Sequence, residues 1–228
     1  FNWSMNNYGK CFISWRNDSG ILWNEYVKHL FVEQLANGDL SSSAFLKYLT
    51  QDYLFLLNFS RAWALGVTKS ETIDEMRACA ATVHSLVNEE IQLHIALCAD
   101  AGILESDLKS AKEETANLAY TRYVLDAGHS GDLLDLLAAL APCVLGYGEI
   151  GLRLQSNHHS SRYENWIQTY GGKDYQEVCV QVGQLIDNAV ARRLGNDPVL
   201  CPRWIKLTER FCQATRLEIG FWEMGLSP

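Results

Sequence analysis

Apolar residues recur at intervals of three and four along most of this chain, and strict apolar–polar alternation is scarce. That is the pattern of amphipathic helices rather than half-buried strands. It predicts helices at about 18–36, 42–66, 71–101, 105–128, 131–156, 160–169, 172–194 and 198–225. Only four prolines occur, at 142, 198, 202 and 228, so little of the chain is barred from helix. Ser41 to Ser43 can cap the second predicted helix, and Ser70 with Asp74 offers capping groups for the third. Ala101-Gly102 and Gly128 read as helix stops, and Gly171-Gly172 as a break after Tyr170. Pro142 falls inside a predicted helix and is expected to kink it, freeing a carbonyl one turn earlier. No low-complexity linker, charge block or internal repeat divides the sequence. The expectation is one all-α helical bundle domain over residues 1–228, with 1–17 as an extension or first helix.

Composition narrows the function classes. The 228 residues are 48% hydrophobic and 20% charged, ordinary for a globular chain with a sizeable core. A net charge of -8 with scattered Lys and Arg argues against nucleic acid, which demands clustered cations. No uninterrupted apolar run approaches the ~20 residues that span a bilayer, so no membrane partner is expected. The first residues, Phe1 to Met5, lack a basic segment and apolar stretch of the signal-peptide kind. The sequence starts without Met, consistent with a processed end, and Phe1 to Ser4 are left out of the fold reading. Seven cysteines with no CxxC pair fit a reducing, cytoplasmic setting better than a disulfide framework or a zinc site.

Two short segments carry candidate chemistry. In the first, Cys143 follows Pro142 in an apolar stretch and Tyr147 comes one helical turn later. A lone cysteine is usually inert core. Here the proline and the nearby Gly146 and Gly148 suggest either a cavity or a close helix contact, and both readings stay open. In the second, Glu218 precedes Phe221 and Trp222 at helical spacing, placing a carboxylate beside two large aromatics. A thiol, a carboxylate and stacking rings suit attack on a flat, electron-poor heterocycle. Asp52 interrupts the apolar run from Phe45 to Phe59; it faces solvent, or it is buried and needs a donor. Glu89, Glu90 and His94 are the nearest thing to a metal site, yet the Glu-x-x-His repeat of di-iron bundles is missing, so a polar helix contact is the better reading. No metal and no cofactor are expected. His158-His159 reads as a solvated loop, and Tyr163, Trp166 and Tyr170 as a packing face, with Tyr170 presented next to a Gly-Gly break.

Together these residues resemble the TenA family of aminopyrimidine aminohydrolases, also called thiaminase II. The resemblance runs from about Trp23 to Gly225. It rests on the stretch from Phe45 to Asp52, Glu90 to His94, Ala119-Tyr120-Thr121, Pro142-Cys143, Trp166 to Gly172, and Glu218 to Trp222. It implies a haem-oxygenase-like helical fold without haem, a homotetramer, and a small-molecule aminopyrimidine or thiamine as substrate. It further implies Cys143 as nucleophile, Glu218 as acid/base and Asp52 as a third catalytic group. Tyr120, Tyr147 and Tyr170 match pocket tyrosines, and Phe55 stands where the family often has Tyr. Phe55 and Phe221 are then expected to sandwich the substrate ring. Other readings compatible with the fold are an oxidase related to quinone-cofactor biosynthesis, a di-iron oxygenase, and a non-enzymatic regulator.

Overall fold

A computed structural model describes residues 8–157 and 160–227. His158-His159 lies outside the described residues. Within them the chain forms α-helices with no strand: α1 (Lys10–Asp18), α2 (Ile21–Val27), α3 (Leu30–Asn37), α4 (Ser42–Lys69), α5 (Ile73–Ser85), α6 (Ile91–Asp100), α7 (Glu105–Ser110), α8 (Thr115–Ser130), α9 (Leu133–Asn157), α10 (Glu164–Gly171), α11 (Lys173–Leu194) and α12 (Pro202–Leu226). A π-helical turn, Leu86–Glu90, joins α5 to α6, and a 3-10 turn, Pro198–Leu200, precedes α12. Two compact units result. One combines the described residues up to Asp39 with Leu137–Ile219, and the other combines Leu40–Leu136 with the chain from Gly220 onward.

In the first unit, Asp187 of α11 receives the backbone N–H groups of Lys10 (2.8 Å) and Cys11 (2.9 Å), neutralising the open N-terminus of α1. An aromatic core follows: Trp15 stacks on Trp204 at 5.2 Å, and Phe211 lies against Trp15 and Trp23, both at 5.5 Å. The single helix expected at about 18–36 is two helices, α2 and α3, with α1 ending where it was expected to start. Gly20 turns with φ 56°, and His29 caps α3 by accepting the Phe31 N–H, breaks that periodicity cannot register.

In the second unit, Ser41 caps α4 as expected, but the cap of α5 is Thr72 rather than Ser70. Thr72 accepts the Glu75 N–H (3.2 Å) while Glu75 accepts the Glu71 N–H (2.8 Å). Gly128 does not stop α8, which continues to Ser130. A Cβ there would stand 2.6 Å from Leu65, so this glycine serves close packing. Residues 111–114 separate α7 from α8 and are tied to α4. Gln51 donates to the Lys112 carbonyl (2.9 Å) and accepts from the Glu114 N–H (3.0 Å), while Asn58 donates to Glu113 (2.8 Å). Arg122 closes the tie with two contacts to Glu113, at 2.8 and 2.7 Å.

Helix α9 is long and strongly apolar. By length and composition it could cross a membrane, which its short uninterrupted runs do not suggest, yet 83% of its apolar window is buried inside the protein.

Candidate active site

The candidate residues fall into two constellations, one in each unit. In the first unit, Cys143 projects from α9 and is half-buried, and Tyr147 sits one turn further along the same helix. Tyr147 meets Tyr170 edge-on, with centroids 5.0 Å apart and planes at 69°. Trp166 completes the cluster, 4.6 Å from Tyr170 and 5.8 Å from Tyr147. Glu218 belongs to this unit as well and is 2% exposed on α12. A carboxylate so withdrawn from water needs polar company or a ligand.

The two glycines near Cys143 mark contacts rather than empty space. A Cβ on Gly146 would stand 2.6 Å from the Tyr26 hydroxyl, and one on Gly148 would stand 2.5 Å from Cys179 Sγ. Close approach of neighbouring side chains to α9 is what these positions permit.

The second unit brings Asp52, Phe55, Tyr120 and Phe221 together. Asp52 is buried, not solvent-facing, at 4% exposed. Tyr48 donates its hydroxyl to Asp52 Oδ2 (3.3 Å), and His94 Nε2 approaches the same oxygen at 3.1 Å, off the hydrogen-bonding line. Phe55 lies 5.1 Å from Tyr120 and 5.5 Å from Phe221. The Phe55–Phe221 contact is edge-to-face at 68°, which corrects one expectation: two rings already touching leave no slot for a third between them. Tyr48 bridges the carboxylate and the rings, lying 6.2 Å from Phe221 and 5.5 Å from Trp222. It sits four residues before Asp52, a helical spacing that could have flagged it.

His94 joins Asp52 and not a metal set; among the described residues no three His, Cys, Asp or Glu converge on a metal position. Burial pushes the His94 imidazole down to about 4. Burial thus favours the neutral form of the ring beside Asp52. Cys98, one turn beyond His94 and fully buried, is pushed up to about 11 by burial and by Asp52. Glu90 is pushed by burial up to about 7.

These shifts oppose each other. Glu90 holds its proton more tightly when folded, so its stabilising contribution is complete below its ordinary 4.5 and fades as pH rises through 7. His94 resists protonation when folded, so its contribution is complete above 6.5 and fades as pH falls towards 4. Glu90→Gln, which mimics the protonated acid, is therefore expected to raise stability at pH 8 by about 1–2 kcal/mol, with little gain near pH 4.5. Thermal melts of both proteins at the two pH values check this. An equal gain at both would remove Glu90 ionisation as the cause.

Comparison with known proteins places this geometry. Residues 19–227 match the sequence model of the TENA/THI-4/PQQC family. The chain belongs to that family. An aminopyrimidine aminohydrolase from Halalkalibacterium halodurans is 32% identical over 207 residues, covering 90% of this chain and 90% of that one. An uncharacterized Haemophilus influenzae protein is 38% identical, covering 90% of this chain and 93% of that one. The crystal structure of a TenA family transcription regulator from Silicibacter sp. TM1040 superposes with a TM-score of 0.97 at 56% identity, covering 98% of this chain and all of that one. A Shewanella denitrificans domain described as having a haem oxygenase-like fold superposes at 0.70 with 12% identity, covering 94% of this chain and 91% of that one. The TENA/THI-4/PQQC chain thus has the all-α, haem-oxygenase-like fold.

Proposed function

We propose that this chain is an aminopyrimidine aminohydrolase of thiamine salvage. It replaces the amine of 4-amino-5-aminomethyl-2-methylpyrimidine by hydroxyl, consuming water and releasing ammonia; thiamine would lose its thiazole by the same route. The observation that carries the reading is the half-buried Cys143 one turn before Tyr147, itself edge-on to Tyr170. Similarity over 90% of both chains to a named aminopyrimidine aminohydrolase supports it.

In this reading the Cys143 thiolate bonds to ring carbon C6 while Glu218 protonates ring nitrogen N1. The adduct's electron pair, with help from the 4-amino group, breaks the bond to the leaving amine. The amine, carried as its ammonium form, leaves as ammonia; water then bonds to the exocyclic carbon and gives up a proton, which the released ammonia accepts. The N1 proton returns to Glu218, and the C6–S bond breaks to restore the ring and the thiolate. Asp52 accepts a hydrogen bond from the 4-amino group. Phe55, Phe221 and Tyr120 offer aromatic edges and faces to the pyrimidine, and Tyr147 and Tyr170 line the thiol side.

Incubating the purified protein with the aminomethylpyrimidine is expected to yield the hydroxymethylpyrimidine by chromatography. Glu218→Gln is expected to lower kcat by about two to three orders of magnitude. A folded wild type inert towards both this compound and thiamine would end the reading. The description of the Silicibacter protein as a transcription regulator favours a second reading, a regulatory role. The net charge of -8 opposes direct DNA contact. Retarded migration of DNA by the protein at physiological salt would speak for it.

A further inference from the structure

Pro142 has no N–H to give the Ala138 carbonyl, so the turn leading into Cys143 is held by one hydrogen bond fewer than a regular helix. Phenols from two other helices reach the peptide carbonyls on either side of that thiol. Tyr26 of α2 donates its hydroxyl to the Pro142 carbonyl at 3.1 Å, and Tyr175 of α11 donates to the Val144 carbonyl at 3.1 Å. Cys179 adds a weaker donation to the Val144 carbonyl at 3.5 Å.

A helix carbonyl already accepts the N–H four residues on, so satisfying the backbone does not call for these second bonds. Tyr26 is fully buried, where phenylalanine would fill the same space without a hydroxyl to desolvate. Its approach depends on a missing side chain, since a Cβ on Gly146 would collide with the phenol. Tyr175 does more than donate. Its ring meets Tyr170 edge-on at 5.0 Å and 83°, while its neighbour Gln176 donates to the carbonyls of Gly148 (3.0 Å) and Tyr170 (2.9 Å). The first turns of α11 therefore hold the thiol-bearing turn and the tyrosine pair in one frame.

We propose that Tyr26 and Tyr175 are positioning residues, clamping the two carbonyls that flank Cys143 and fixing the direction in which its thiol meets the aminopyrimidine. This rests on Cys143 being the nucleophile. Neither tyrosine contacts substrate in this account; each acts through the turn it grips.

Tyr26→Phe, Tyr175→Phe and the double variant keep the rings and delete only the hydroxyls. Ser19→Ala is the control: it deletes a buried hydroxyl-to-carbonyl hydrogen bond of 2.7 Å, from the C-cap of α1 back to Trp15 of that helix and away from α9. With the full-length protein at a temperature where circular dichroism shows all variants folded, each Phe variant is expected to lose about tenfold in kcat, with KM within about twofold. The double variant should lose more, and Ser19→Ala should lose melting temperature alone. The proposal is overturned if the Phe variants keep kcat within twofold of wild type, or if Ser19→Ala falls as far. Should the wild type turn over neither pyrimidine, the hydrolase reading fails and the clamp is judged separately. Iodoacetamide labelling of Cys143, followed by peptide mass, then decides: a rate changed threefold or more in the Phe variants supports the clamp, and an unchanged rate overturns it.

Discussion

Cys143→Ser is expected to reduce conversion of the aminomethylpyrimidine by about three orders of magnitude or more, with helix content unchanged. Serine nearly matches cysteine in size, and the site is half-buried and lies in no disulfide, so the fold has little to lose. The chemistry has much to lose. A serine hydroxyl is un-ionised at pH 7, whereas a thiol reaches the thiolate within ordinary protein perturbations. Chromatographic product assay beside circular dichroism separates these outcomes. Activity within tenfold of wild type would remove the covalent step and leave Glu218 and Asp52 to a direct displacement by water.

Gly151→Ala is expected to cost about 2–3 kcal/mol, lowering the melting temperature by roughly 4–12 °C. Helices α9 and α10 meet here backbone to backbone. A Cβ on Gly151 would overlap the Tyr170 carbonyl carbon and stand 2.5 Å from the Gly171 nitrogen, while one on Gly171 would stand 2.7 Å from the Gly151 carbonyl oxygen. Backbone cannot swing aside as a side-chain tip can. Relief must come from α10 moving as a body, and Tyr170 moves with it, so kcat/KM should fall as well. Gly220→Ala is the counter-case: a Cβ there has nothing within 4 Å, and helix propensity alone predicts a gain of up to ~1 kcal/mol. Equal melting temperatures for Gly151→Ala and wild type would show that the helices separate without penalty.

Helices were legible where one periodic face persisted, as in α4, α9, α11 and α12. Their interruptions were less so, because partners distant in sequence impose them. The gap at 111–114 exists because Gln51 and Asn58 claim its backbone and Glu113, and nothing local marks it. Thr72 rather than Ser70 caps α5: its hydroxyl accepts the Glu75 N–H, while the Ser70 hydroxyl is spent on the Gly66 carbonyl of α4. Gly146 and Gly148 left open whether space or contact was meant, since a missing Cβ looks the same in both cases until a neighbour is seen. Asp52 stood out as a carboxylate in an apolar run. Its partnership with His94 was hidden, because periodicity says which residues share a helix face but not which faces meet. The Phe55–Phe221 contact was invisible for the same reason.

The π-helical turn at Leu86–Glu90 has a consequence for how this sequence tolerates change. Such a turn is geometrically one residue spliced into a helix. Deleting a single residue there would let α5 and α6 fuse into one regular rod, a local gain in hydrogen-bond geometry. It would also rotate everything downstream by about 100° about the axis. His94 and Cys98 would swing off the side that faces Asp52. The wide turn thus works as a phase adjuster, and alignment of this segment with any relative should keep its length even where its letters differ.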